Sequence, residues 1–146
     1  MKKLIVLIAA AAFALNANAQ SQKVLAKDVP SSIAVAFTEM HPNAKMIEWK
    51  KIDSKYEAEY DENSKKTYSV YDATGKLIET KVKIKESEVP KLATDYVYKN
   101  HKDPLEKEYF KTTDSKGTLT YEVKVKSKKL IFDSKGNYIK TLECKE

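Results

Sequence analysis

Two hydrophobic periods run along this chain. Tyr56, Ala58 and Tyr60 alternate with Glu57, Glu59 and Asp61; Ile78, Thr80, Val82 and Ile84 alternate with Glu79, Lys81, Lys83 and Lys85. Leu119, Tyr121, Val123 and Val125 alternate in the same way with Thr120, Glu122, Lys124 and Lys126. A period of two predicts strands with one buried and one wet face, the antiparallel habit. Helical spacing occurs twice, at Val29, Ile33, Ala36, Phe37 and Met40 and at Val89, Ala93, Tyr96 and Val97. Pro30 and Pro90 suit a first helical turn, and Pro42 and Pro104 stop each helix near His41 and His101. Segments this short are not stable alone, so each apolar stripe must pack on the strands.

The turns between strands are equally legible. Asp72-Ala73-Thr74-Gly75, Asp114-Ser115-Lys116-Gly117 and Asp133-Ser134-Lys135-Gly136 each pair an aspartate that caps the turn with a glycine in the left-handed conformation. Similar features recur at near-constant spacing. Val29-Pro30 and Val89-Pro90, like His41 and His101, are 60 positions apart; the first and third of these turns are 61 apart. Tyr56-Glu57 and Tyr121-Glu122 are 65 apart. The expected fold is α+β: a tandem repeat of one helix plus about four antiparallel strands, with the helices on one face of the sheet. The expected boundaries are a signal over 1–19, a linker over 20–27, a first repeat over 28–85 and a second over 86–146.

The N-terminus changes the setting. Lys2 and Lys3 precede an unbroken apolar run from Leu4 to Leu15, and Ala17 and Ala19 supply the small residues a signal peptidase accepts. Twelve residues rise only ~18 Å as a helix, short of the ~30 Å hydrocarbon core, so a cleavable export signal is expected rather than an anchor. Cleavage after Ala19 leaves a periplasmic or secreted chain with no stable membrane anchor. Cys144, the one cysteine, has no partner for an internal disulfide and sits near the frayed end, so neither a disulfide framework nor a thiol nucleophile is expected.

Charge narrows the partners. The full chain carries +6, and without Lys2 and Lys3 it has 25 lysines against 21 acids, +4 (25 − 21). Arginine is absent. Without the guanidinium fork, and with lysines and acids interspersed, the pattern describes a solvated mixed-charge surface and argues against nucleic acid.

Candidate chemistry is sparse. His41 and His101 lack a metal-ligand spacing, and the Asp-x-x-Gly turns lack the oxygen series of a calcium loop. Glu57 and Glu59 share a strand face ~6.6 Å apart, as glycosidase carboxylates might, but nothing around them suggests the burial that separates two pKa values. No nucleophile elbow or phosphate loop is present. Nine tyrosines and Trp49 are more informative, since tyrosine joins apolar area to a hydroxyl. Tyr56, Tyr60 and Tyr121 fall on the apolar phase and are expected in the core, as is Trp49. Tyr71, out of phase with Tyr68 and Val70, is expected to be exposed. Glu57, Glu59, Tyr71, Glu122 and Lys124 are therefore the candidate binding residues.

Val29-Pro30, Phe37, His41-Pro42-Asn43-Ala44, Trp49, Tyr56-Glu57-Ala58-Glu59-Tyr60 and Tyr71-Asp72-Ala73-Thr74-Gly75-Lys76-Leu77-Ile78-Glu79 together resemble the PepSY-like, beta-lactamase-inhibitor-like family of exported bacterial proteins. The second half departs from that pattern: it has no tryptophan, Lys124 stands where the first has Glu59, and two residues separate His101 from Pro104. The resemblance implies a tandem helix-plus-four-stranded-sheet fold and a protein-binding surface. The expectation is a monomeric, non-enzymatic binding module without a cofactor, acting on an envelope or extracellular protein. The alternative is a carrier of a small ligand or ion in the gap between helix and sheet.

Overall fold

The computed structural model describes residues 21–102 and 106–144; the expected export signal lies outside them. Nine strands form one antiparallel sheet in chain order: β1 Ser21–Val24, β2 Lys45–Ile52, β3 Lys55–Glu62, β4 Lys65–Tyr71, β5 Leu77–Ile84, β6 Lys107–Asp114, β7 Leu119–Val125, β8 Lys128–Asp133 and β9 Tyr138–Glu143. Helix α1, Ser31–Met40, lies between β1 and β2, and α2, Lys91–Asn100, between β5 and β6.

This corrects the expected tandem of two helix-plus-four-strand units. β5 and β6 pair over six positions, from Glu79↔Asp114 to Ile84↔Tyr109, so the sheet continues without a break past α2. A ninth strand, β1, pairs with β2 where a linker was expected. The architecture is a single nine-stranded sheet carrying two short helices. Antiparallel order explains this: each strand leaves its outer edge ready for the next, and α2 returns the chain to the edge of β5.

Each helix begins after a single 3-10 turn, with Pro30 or Pro90 as its N-cap, and ends at a histidine. The His41 N–H donates to the Phe37 carbonyl at 2.8 Å, and the His101 N–H to Val97 at 2.7 Å. Val29, Ile33 and Phe37 pack on Trp49, Ala58, Tyr60 and Tyr71. Under α2, Val89, Ala93 and Val97 pack on Ile84, Tyr109, Val123, Leu130 and Phe132. Phe37 is the hub of the first cluster, meeting Tyr60 edge-on at 5.0 Å and Trp49 at 5.2 Å. Each helix thus seats its own apolar cluster on the sheet. Met40, expected on the packed stripe, is exposed.

The three aspartate–glycine turns share one hydrogen-bond scheme. In each, the aspartate Oδ1 accepts from the backbone N–H two and four residues on, and the glycine N–H donates to the aspartate carbonyl. All three glycines have positive φ, between 81° and 93°. The β4–β5 turn touches the start of α1, since a Cβ on Gly75 would lie 2.9 Å from the Ser32 carbonyl oxygen. The β8–β9 turn touches α2, where a Cβ on Gly136 would lie 2.9 Å from Pro90 Cβ. Among the described residues no helix is long and apolar enough to cross a membrane.

Candidate functional site

Strand alternation sends one set of side chains to the helices and the other to the opposite face, which no helix covers among the described residues. Across β3–β7 that open face holds Glu57, Glu59, Tyr68, Val70, Glu79, Lys81, Phe110, Glu122 and Lys124. Register aligns them in rows: Glu57, Val70, Glu79 and Asp114 in one, and Glu59, Tyr68, Lys81 and Thr112 in the next. Lys83, Phe110, Glu122 and Ile131 form a third. Val70, Phe110 and Ile131 are buried even without a covering helix, so the polar side chains around them lie down over the sheet.

Lys81 is central. Its Nζ lies 5.4 Å from the Tyr68 ring centroid and 5.0 Å from that of Phe110, and the two rings meet edge-on at 6.2 Å. The same Nζ is 3.7 Å from Glu122 Oε1, a separation suited to ion pairing but too long for a hydrogen bond. Glu122 Oε1 is buried with no hydrogen-bond partner. Burial pushes the Glu79 carboxyl above the usual carboxylate range; Lys81 opposes the rise, Glu122 and Glu57 add to it, and Lys55 opposes it. Tyr68 is pushed up to about 12 by burial, with Glu59 and Glu57 reinforcing the shift.

The flanks are better neutralised. Glu59 lies 3.1 Å from Lys50 and 3.4 Å from Lys66. Burial alone would raise its pKa, but these two lysines outweigh that and hold it below the usual range. Glu108 bridges Lys83 at 2.7 Å and Lys124 at 3.5 Å. Four of the five sequence-chosen residues, Glu57, Glu59, Glu122 and Lys124, therefore share this face.

The fifth does not. Tyr71 is fully buried under α1, and its exposure was the wrong expectation. The inward set of β4 is Thr67, Ser69 and Tyr71, all buried, while the more apolar-looking Tyr68 and Val70 point the other way. Burial raises the Tyr71 hydroxyl pKa well above the tyrosine range. Lys81, Phe110 and Tyr68 were not chosen from sequence. The period-two pattern already put Lys81 on the wet phase, but which strands become neighbours is a property of the sheet.

Beneath α1 a polar chain links Glu62, His41, Tyr60, Ser69 and Thr80. His41 Nδ1 lies 3.0 Å from Glu62, the Tyr60 hydroxyl 3.1 Å from His41 Nε2 and 2.9 Å from Ser69 Oγ, which is 3.4 Å from Thr80. Burial pushes Tyr60 up to about 12. Ser69 is fully enclosed, so the chain satisfies buried hydroxyls and offers no accessible nucleophile. Two clefts lie away from the open face: about 320 Å³ beside Leu92, Tyr96 and Tyr138, and about 430 Å³ beside His101 and Val125. Among the described residues no group of three histidine, cysteine or acidic side chains is placed to hold a metal ion.

No family model matches the chain, and no curated protein matches it. Solved structures do. A protein of Bacteroides eggerthii, provisionally described as periplasmic, superposes with a TM-score of 0.67 at 16% identity, covering 79% of this chain and 88% of its own. A DUF2874 family protein from Bacteroides uniformis gives 0.65 at 17%, over 78% and 88%. A BLIP-like protein from Bacteroides fragilis gives 0.57 at 15%, over 77% and 84%. At such identities the likeness is one of fold, and it points to a BLIP-like arrangement rather than to PepSY specifically. This chain is thus similar in fold to a group of Bacteroides proteins that includes a BLIP-like one.

Proposed function

We propose that this chain is an exported binding module that engages an envelope or extracellular protein across the open face of its sheet, without catalysing a reaction. The observation that carries the reading is that face itself: five adjacent strands present two rings and a set of carboxylates and lysines over an apolar floor, with no helix of the described residues above them. Tyrosine and interspersed charges laid over an apolar floor offer a protein of complementary charge polar contacts across the face. The leader sequence and the provisionally periplasmic fold neighbour both support a role outside the cytoplasm.

The test is capture from the envelope fraction, comparing the native chain with the combined variant Glu57→Lys, Glu59→Lys, Lys124→Glu. Reversing three charges at one interface opposes like to like, and retention of a specific partner should fall by about tenfold or more. Circular dichroism establishes that the variant is folded. A partner retained equally by both chains would move the binding surface elsewhere.

A further inference from the structure

Tyr68, Phe110 and Glu122 surround Lys81 as a cation site is built: two ring faces, one buried carboxylate, and Glu79 beside them. The occupant fits loosely. Lys81 Nζ stands 3.7 Å from Glu122 Oε1, and that oxygen is sealed from solvent without a hydrogen bond. Glu122 keeps only 9% of its surface, so its charge is desolvated without full repayment. Glu79 stands on the same strand face two residues before Lys81, and the carboxylates of Glu122 and Glu57 both act on it.

We infer that this cage is a subsite for an arginine side chain of the bound protein, and that Lys81 is a resident occupant which the incoming guanidinium displaces. The inference rests on the open face being the binding surface. Arginine fits better than lysine. Its planar guanidinium stacks on ring faces, is weakly hydrated, and can hydrogen-bond Glu122 and Glu79 together, where an ammonium meets Glu122 at one distant point. The chain contains no arginine of its own, so no segment of it can fill the cage in this way. Once displaced, the long Lys81 stem can carry its charge toward solvent.

The probe is the peptide acetyl-Gly-Gly-Arg-Gly-Gly-amide, titrated at millimolar concentration into isotope-labelled full-length mature chain, with citrulline replacing arginine as the uncharged control. Backbone and carboxyl shifts should concentrate at Tyr68, Glu79, Lys81, Phe110 and Glu122, and the citrulline peptide should bind about fivefold more weakly or worse. In the native chain, the arginine peptide should lower the titration midpoint of the Glu79 carboxyl, a readout that needs no variant. Lys81→Ala, which vacates the cage, should tighten arginine binding by about fivefold, and Glu122→Gln should weaken it by a similar factor. Shifts scattered over surface acids such as Asp95 and Glu143, or equal binding of the two peptides, would overturn the inference. If the cage fails while charge reversal still abolishes partner capture, the face remains the binding surface and only the arginine subsite falls. Loss of both results removes the open face as the binding surface.

Discussion

Three glycines in near-identical turns allow the seating of the helices to be measured against an internal control. Gly75, Gly117 and Gly136 have φ of +93°, +81° and +91°, so alanine pays a similar backbone cost at each, about 1–2 kcal/mol for an L-residue forced into this region. Their surroundings differ. A Cβ at Gly117 meets nothing within 4 Å, whereas at Gly75 it would lie 2.9 Å from the Ser32 carbonyl oxygen. At Gly136 it would lie 2.9 Å from Pro90 Cβ and 3.0 Å from the Ala93 nitrogen. Those neighbours are backbone and Cβ atoms at the starts of α1 and α2, which no side-chain rotation can move aside. Overpacking of that kind adds about 1–3 kcal/mol. Gly117→Ala should therefore cost about 1–2 kcal/mol, and Gly75→Ala and Gly136→Ala about 2–5 kcal/mol each. Urea unfolding followed by far-ultraviolet circular dichroism would read these as shifts in midpoint at constant slope. Three equal losses would refute the argument, because the helix starts would then not rest on the hairpin tips.

Other consequences follow from buried and titrating groups. Tyr60→Phe leaves the enclosed Ser69 hydroxyl and the His41 ring without their shared partner, and should cost about 1–3 kcal/mol in the same unfolding assay. Glu79 is raised in the folded state, so it binds its proton more tightly there than in the unfolded chain. Stability is lost as pH rises from the ordinary carboxylate value through the folded one, and Glu79→Gln should raise the melting temperature at pH 7 but not at pH 3. Asp72, Asp114 and Asp133 have the opposite sign: hydrogen bonds from Thr74, from the Thr118 backbone and from Asn137 hold them below the usual range. Their contribution is complete above the ordinary aspartate pKa and is lost as pH falls through the folded values. The triple Asp→Asn variant should show a flatter loss of melting temperature below pH 4.

The features legible in the sequence were those set by neighbours in the chain. Asp72 and Gly75 specify their own turn, and Val29, Ile33 and Phe37 their own helical stripe, without reference to distant residues. Three other hairpins, at Asp53-Ser54, Asn63-Ser64 and Lys126-Ser127, went unread because they lack glycine; non-glycine residues take the positive φ instead, Asp53 and Lys126 at 54°. The phase of β4 was misread for a deeper reason. Alternation separates two faces but does not label them, and the inner face of β4 is Thr67, Ser69 and Tyr71, with the enclosed Ser69 hydroxyl bonded to Tyr60 and Thr80. At Ser69, polarity pointed outward where hydrogen bonding pointed in.

Continuity of the sheet is the step that no local pattern could supply, and it is also what creates the candidate site. Lys81 comes from β5, before α2, whereas Phe110 and Glu122 come from β6 and β7, after it. Only the β5–β6 ladder, with Lys81 opposite Thr112 and Lys83 opposite Phe110, brings the ammonium over the Phe110 ring. Had the chain formed two separate units, Tyr68 and Phe110 would have had no contact and Glu122 would have lost Lys81. The correction to the expected architecture and the assembly of the cage are therefore one physical event, the addition of β6 to the edge of β5.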